Sequence, residues 1–453
     1  MKSINPATGE LIQQYNPHTL DAARRVAGRA QAVAEHWRET PITERARLLL
    51  KLESSLLSGR NELAQLMARE MGKPIREGQS EIEKCAKLCS YYAERGPAFL
   101  RPEPIETEAS TSYVAFEPLG VVLAIMPWNF PFWQVFRCAV PALLAGNALL
   151  LKHASNVCGC AAAAELLFRQ AEFPENLFST LFLSPEDVLS LIDNDDVAAV
   201  ALTGSPRAGR QVAARAGQNL KKSVLELGGS DPYIVLSDAD VAAASRICVQ
   251  SRLINTGQSC IAAKRFIVVR QHRAEFENLV AGLMRSARQG DPLDLATELG
   301  PMARVDLRDE LHAQVQRSVA RGAELLVGGE VPNRVGAWYP GTVLTGVVAG
   351  MPAYEEELFG PVAAIIEARD DEAALHIAND TRFGLGAAVF TRDRARGEQI
   401  ARDRLRAGSC FVNTHVRSDP RLPFGGIRES GYGRELGEFG AREFVNIKTV
   451  YVA

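Results

Sequence analysis

"GVVLAIMPWNFPFWQVFRCAVPALLAGNALLLKH", residues 120–153, decides the fold. Gly120–Met126 is an apolar run of strand length, fit for burial on both faces. Pro127, Asn129 and Pro131 then break the pattern. Residues 132–145 read as a helix closed by Gly146, and "NALLLKH" (147–153) reads as a second strand. A strand, a helix and a strand in so short a span form a parallel crossover unit. Leu119–Phe136 carries no charge over eighteen residues, but its central prolines and asparagine would break a helix and leave polar groups unpaired in lipid. The run is therefore read as strand, loop and helix, with no membrane span.

The alternation extends in both directions. Downstream lie an Ala-rich helix (157–171), a strand-like segment (177–183), a short helix, a strand (197–205), a helix to about 217 and a strand (221–229). Such alternation implies a doubly wound parallel α/β sheet. After Gly229 it restarts, with strands at "DPYIVL", "RFIVVR" and near 362–367, 386–391 and 409–413, giving a second α/β domain. Upstream, "DAARRVAGRAQAVAEHW" (21–37) and "ERARLLLKLESSLLSGRNELAQLMAREMGK" (44–73) repeat apolar residues at helical steps, the second run ending at Gly72 and Pro74. Residues 101–117 and 443–453 look extended and only partly buried. The expected division is 1–100 with 118–227, then 228–442, with 101–117 and 443–453 as a separate arm.

A chain of 453 residues exceeds one core. A net charge of −3 without any Lys/Arg cluster gives no nucleic-acid footprint. Eight scattered cysteines and no secretory leader suggest reduced thiols in the cytoplasm. Cys85 and Cys89 sit one turn apart without a second pair, and the histidines form no HExxH, so no metal site is expected.

Three residues stand out as candidates for chemistry. Cys260, in "INTGQSCIAAKRF" (254–266), is a nucleophile if a helix N-terminus lowers its pKa, and the Ser259 and Cys260 amides could hold an oxyanion. Glu226 ends a hydrophobic strand in "LELGG", where burial would raise its pKa toward that of a general base. Asn129 is an amide fixed between prolines and able to donate to an oxyanion. Taken singly, each is about as readily a core cysteine, a strand-end salt bridge or a loop amide.

Read in order, PWNFP, a lysine after a strand, Thr-Gly-Ser, ELGG, GQxC and "EEELFGP" (355–361) resemble the aldehyde dehydrogenase superfamily, over almost the whole chain from "INPATGE" to "PFGGIRESGYGRE". The resemblance implies a Rossmann-like cofactor domain, a second α/β catalytic domain and a small β oligomerisation arm joining a homodimer or homotetramer. It implies that Cys260 attacks an aldehyde to form a thiohemiacetal, held by its own backbone amide and Asn129. Hydride then leaves to NAD or NADP, and Glu226 activates water to hydrolyse the thioester. It assigns the cofactor to Trp128, Lys152, Ser155, Gly204, Ser205, Gly209, Glu357 and Phe359. Gly204 and Gly209 lie five apart, outside GxGxxG spacing. Ser155 stands where a glutamate is common, so a 2′-phosphate meets no repulsion there; its bland reading is a helix N-cap.

For the substrate, "PWNFPxWQVxR", "LLKHA" and "GPMARxDLRDELH" resemble the bacterial succinate-semialdehyde dehydrogenases. That likeness implies that Arg137 clamps a carboxylate, with Ser418, Arg417 or Arg421 of "VRSDPRLPFGG" (416–426) assisting. Arg137 could equally pair with an acid of the chain. Ile254 and Ala262 depart from relatives that carry an arginine and a cysteine at those places. Glutarate semialdehyde and a broad range of aliphatic or aromatic aldehydes are the alternatives, as is a cofactor-binding protein without catalysis.

Overall fold

The computed structural model describes all 453 residues. Around the opening stretch lies a six-stranded sheet in the order Gly431–Tyr432, Lys222–Glu226, Val197–Thr203, Val121–Met126, Ala148–His153, Phe178–Thr180. All neighbours are parallel except Gly431–Tyr432, which pairs antiparallel with Lys222–Glu226. Val121–Met126 is the hub. The chain winds from it to Ala148–His153 on one side, and Val197–Thr203 returns to its other side. The loops after Met126 and after Thr203 therefore diverge, opening a crevice at the strands' carboxyl ends.

A second, seven-stranded sheet runs Glu324–Val327, Thr342–Thr345, Val362–Ala368, Arg265–Val269, Pro232–Val235, Gly386–Phe390, Ser409–Val412. Its strands bury opposite faces in separate cores: Ile234, Ile267, Ile366 and Val389 enter one, Tyr233, Phe266, Ile365 and Phe390 the other. That period of two, apolar on both faces, is what a covered parallel sheet demands.

Two boundaries differ from expectation. The 44–73 run forms two helices, Ile42–Ser58 and Arg60–Met71, broken at Gly59. Glycine's poor helix propensity sets the break where the apolar period alone would have continued. Gly431–Tyr432 lies within the expected second domain yet adds a strand to the first sheet. Thr111–Pro118 pairs along its length with Val445–Val452, and Glu103–Pro104 completes a three-stranded sheet away from both cores. No helix is long and apolar enough to cross a membrane.

Candidate active site

The crevice at the first sheet is a cavity of about 400 Å³ lined by Trp128, Asn129, Thr203, Gly204, Ser205, Leu227, Gly228, Cys260, Glu357 and Phe359, among others. Distant motifs meet here because those of the first sheet follow its strands, while the cysteine and Glu357 segments lead into strands of the second. Asn129 follows Val121–Met126, Gly204 and Ser205 follow Val197–Thr203, and Gly228 follows Lys222–Glu226. Ser205 caps the helix Pro206–Gln218, its hydroxyl accepting from the Ala208 amide at 3.3 Å. That helix turns its positive end toward the cavity mouth.

Cys260 is delivered by a strained turn. Asn255 and Thr256 adopt left-handed backbone at φ +54° and +55°, followed by Gly257 at +76°. A β-branched threonine there costs energy, which the packing must offset. A Cβ on Gly257 would run into the backbone of Gly360 and Pro361, so glycine lets the cysteine loop lie against the "ELFGP" segment. The turn is tied to the asparagine loop: Asn129 Nδ2 donates to the Gln258 carbonyl at 3.1 Å, and Asn255 Nδ2 donates to the Asn129 carbonyl at 2.7 Å. Gln258 Oε1 in turn accepts from the Ala303 amide at 2.8 Å. One Asn129 amide proton is thus spent on orientation and the other is left for a ligand.

On the far wall, Glu357 accepts from the Gly229 amide at 3.1 Å and faces Lys264 Nζ at 3.3 Å. Lys264 also donates to the Cys260 carbonyl at 2.7 Å. Phe359 meets Trp128 edge to face at 5.7 Å. A Cβ on Gly228 would strike the Glu357 carboxylate. Lys152 and Ser155 line a separate cavity of about 680 Å³ with His18, Ser184 and Pro185. Ser155 does not cap a helix: Val157 is the N-cap of Cys158–Gln170, and Glu70 takes the Gly159 and Cys160 amides. Its hydroxyl stays exposed.

The aldehyde dehydrogenase family model matches residues 1–450. The chain belongs to the aldehyde dehydrogenase family. It is 48% identical over 449 residues to the succinate semialdehyde dehydrogenase NAD(P)+ Sad of Escherichia coli (strain K12), a match covering 99% of this chain and 97% of that protein. It is 45% identical over 451 residues to a probable succinate-semialdehyde dehydrogenase (NADP+) of Synechocystis sp., covering 100% and 99%. The crystal structure of succinic semialdehyde dehydrogenase from Streptococcus pyogenes in complex with NADP+ superposes with a TM-score of 0.97 at 36% identity, covering 100% of this chain and 99% of that one.

In this aldehyde dehydrogenase three expectations need correction. Cys260 does not begin a helix; it lies in a turn leading to the strand Arg265–Val269. Burial pushes its thiol up to about 12, against the smaller opposing pull of Lys264 and Arg137. Arg137 is not a free clamp. It is 2% exposed, ion-paired with Glu435, and stacked on Phe424 with its guanidinium carbon 4.8 Å from the ring centre. The chain's own acid satisfies it, because a buried guanidinium without a partner would be too costly. Gly209 is absent from the cavity wall; a Cβ there would lie 2.6 Å from Leu227, so it serves close packing of helix on strand.

Glu226 is 2% exposed, and neither carboxylate oxygen accepts a hydrogen bond from the protein. It too is missing from the cavity lining and lies behind it, near Gly425 and the Arg137–Glu435 pair. Burial holds its pKa well above the ordinary carboxylate range, Arg137 opposing and Glu435 adding to the rise. Glu435 is raised for the same first reason. Ser418 is buried, its hydroxyl accepting from Lys84 Nζ at 2.6 Å. Reading the sequence assigns no role to Asn255, Gln258, Lys264, Glu435 or Lys84. Gln258 and Lys264 lie in the cysteine motif itself, whereas nothing local marks Glu435 or Lys84.

Proposed function

We propose that this aldehyde dehydrogenase oxidises succinate semialdehyde to succinate with NAD or NADP, and that it works as a homodimer or homotetramer in the cytoplasm. The observation that carries the chemistry is the meeting of Cys260, Asn129, Glu357 and Phe359 in one cavity at the sheet's switch point. The substrate reading draws on full-length relatives named as succinate-semialdehyde dehydrogenases.

The residues fit a dinucleotide. The crevice offers a helix N-terminus for phosphates, a carboxylate and an aromatic ring at its inner end, and Lys152 with an unpaired Ser155 hydroxyl at a second cavity. An uncharged residue at 155 leaves room for a 2′-phosphate. When bound, the nicotinamide supplies a hydride acceptor. Cys260 Sγ forms the bond to the aldehyde carbon as the thiol proton passes to water in the open cavity, since burial favours the thiol form. The free Asn129 amide proton and the Cys260 amide hold the oxygen as it gains charge. After oxidation the acyl group is a thioester on Cys260. Glu226 takes a proton from water, which adds to the thioester and releases succinate and the thiol.

A broader aldehyde range stays in play because Arg137 is engaged by Glu435 and Ile254 presents an apolar surface. A kinetic panel of succinate semialdehyde, glutarate semialdehyde and butanal against both cofactors decides between the readings. The expected result is the highest kcat/KM for succinate semialdehyde, with NADP accepted as well as NAD. A preference for butanal would refute the substrate.

A further inference from the structure

The helix Ile75–Phe99 presents Glu77, Glu81 and Lys84 at steps of three and four, which places them on one face. That face forms one wall of a cavity of about 630 Å³, distinct from the crevice above, whose other walls include Phe130, Trp133, Leu253 and Ile254. Phe130 and Trp133 follow Asn129 by one and four residues, and Ile254 precedes Cys260 by six. The cavity therefore borders both loops that hold the reacting groups.

Charge on this wall is unevenly matched. Glu81 is bound to Lys73 and accepts from the Phe132 and Trp133 amides, both at 2.9 Å. Glu77 accepts from the Asn255 amide at 2.6 Å, and its pKa is raised to about 7, chiefly by burial. Asp419, beside Ser418, is held by Arg421 at 2.7 Å. Arg137 already has Glu435. Arg76 and Arg246, also on the lining, have no carboxylate partner either but stand exposed, whereas Lys84 is half-buried and has none. Its ammonium lies 3.9 Å above the Trp133 ring and donates to Ser418. An indole face and one hydroxyl orient a cation but do not neutralise it. Burial, with Arg137 adding to the effect and the more distant Glu81 and Asp419 opposing it, lowers its pKa to about 8.

We propose that Lys84, oriented by Ser418 and Trp133, is the specificity-determining residue that receives the carboxylate of the substrate at the end distal to the aldehyde. The role expected of Arg137 passes to a cation on a different helix. The lysine suits the task because no carboxylate of the chain forms an ion pair with it, and because the apolar walls of Trp133, Phe130 and Ile254 weaken solvent screening of the pair. An uncharged aldehyde of the same length gains nothing from it. This inference rests on the substrate carrying a distal carboxylate.

The test is the ratio of kcat/KM for succinate semialdehyde to that for butanal, measured in the intact enzyme for wild type, Lys84→Met and Lys84→Arg. The ratio removes any general loss of active enzyme. The proposal expects it to fall at least about tenfold in Lys84→Met, through KM, and to recover largely in Lys84→Arg. Inhibition by succinate should weaken in parallel in Lys84→Met. Should that variant fail to fold, Lys84→Gln supplies the same ratio. A ratio within about twofold of wild type in the uncharged variants overturns the proposal while leaving the substrate assignment intact. A wild-type enzyme with no preference for the semialdehyde overturns both.

Discussion

In the proposed reaction Cys260 and Glu226 divide the work between a thiol and a carboxyl whose pKa values burial raises. This division separates the two steps experimentally. Glu226→Gln should give a rapid burst of reduced cofactor followed by turnover slowed by about a hundredfold or more, because acylation proceeds and hydrolysis lacks its base. Loss of the burst itself would place Glu226 before hydride transfer. The sign of the pH dependence follows from the raised pKa. Glu226 gains its basic form only as pH rises past the ordinary carboxylate range, so wild-type turnover should fall on acidification earlier than an exposed glutamate would dictate. A steady-state pH profile checks this, and a limb in the normal carboxylate range would contradict it.

At the scale of elements, the helix Ile75–Phe99 supports the asparagine loop. Glu81 joins that helix to the start of Trp133–Ala145 through two amides and to Lys73 through a buried ion pair. Glu81→Gln should cost about 3–5 kcal/mol of stability, since it strands the Lys73 charge, and should lower kcat as Asn129 loses its fixed position. Thermal denaturation together with kinetics tests both; an unchanged melting temperature would deny the strut. These elements differ in how far sequence exposes them. The strands around residues 120–153 and 197–229 are legible because buried parallel strands are apolar runs punctuated by turns. The break at Gly59 is weaker, because a helical period continues across it. Asn129, Cys260, Glu357 and Phe359 were findable through motifs. The pairing of Arg137 with Glu435 was not, because it joins residues almost 300 positions apart with no local pattern. The thiol's high pKa was also hidden, for desolvation depends on the whole fold around Cys260 rather than on its neighbours in sequence.

At the scale of the molecule, two α/β units share one crevice, and the sheet of Thr111–Pro118 and Val445–Val452 stands apart from both. Its outer strand exposes Ile447 (64%), Tyr451 (51%) and Val452 (49%), an apolar edge that a second copy would cover. In the proposed oligomer, deleting residues 444–453 should yield monomers in sedimentation, and an unchanged oligomer would refute the arm's role. The catalytic account stands or falls on a covalent bond to one thiol among eight. Glu226→Gln enzyme mixed with succinate semialdehyde and NADP, quenched during the burst and digested, should carry a succinyl group on the peptide containing Cys260 when weighed by mass spectrometry. A burst without that adduct, or an adduct on any other cysteine, would contradict the account.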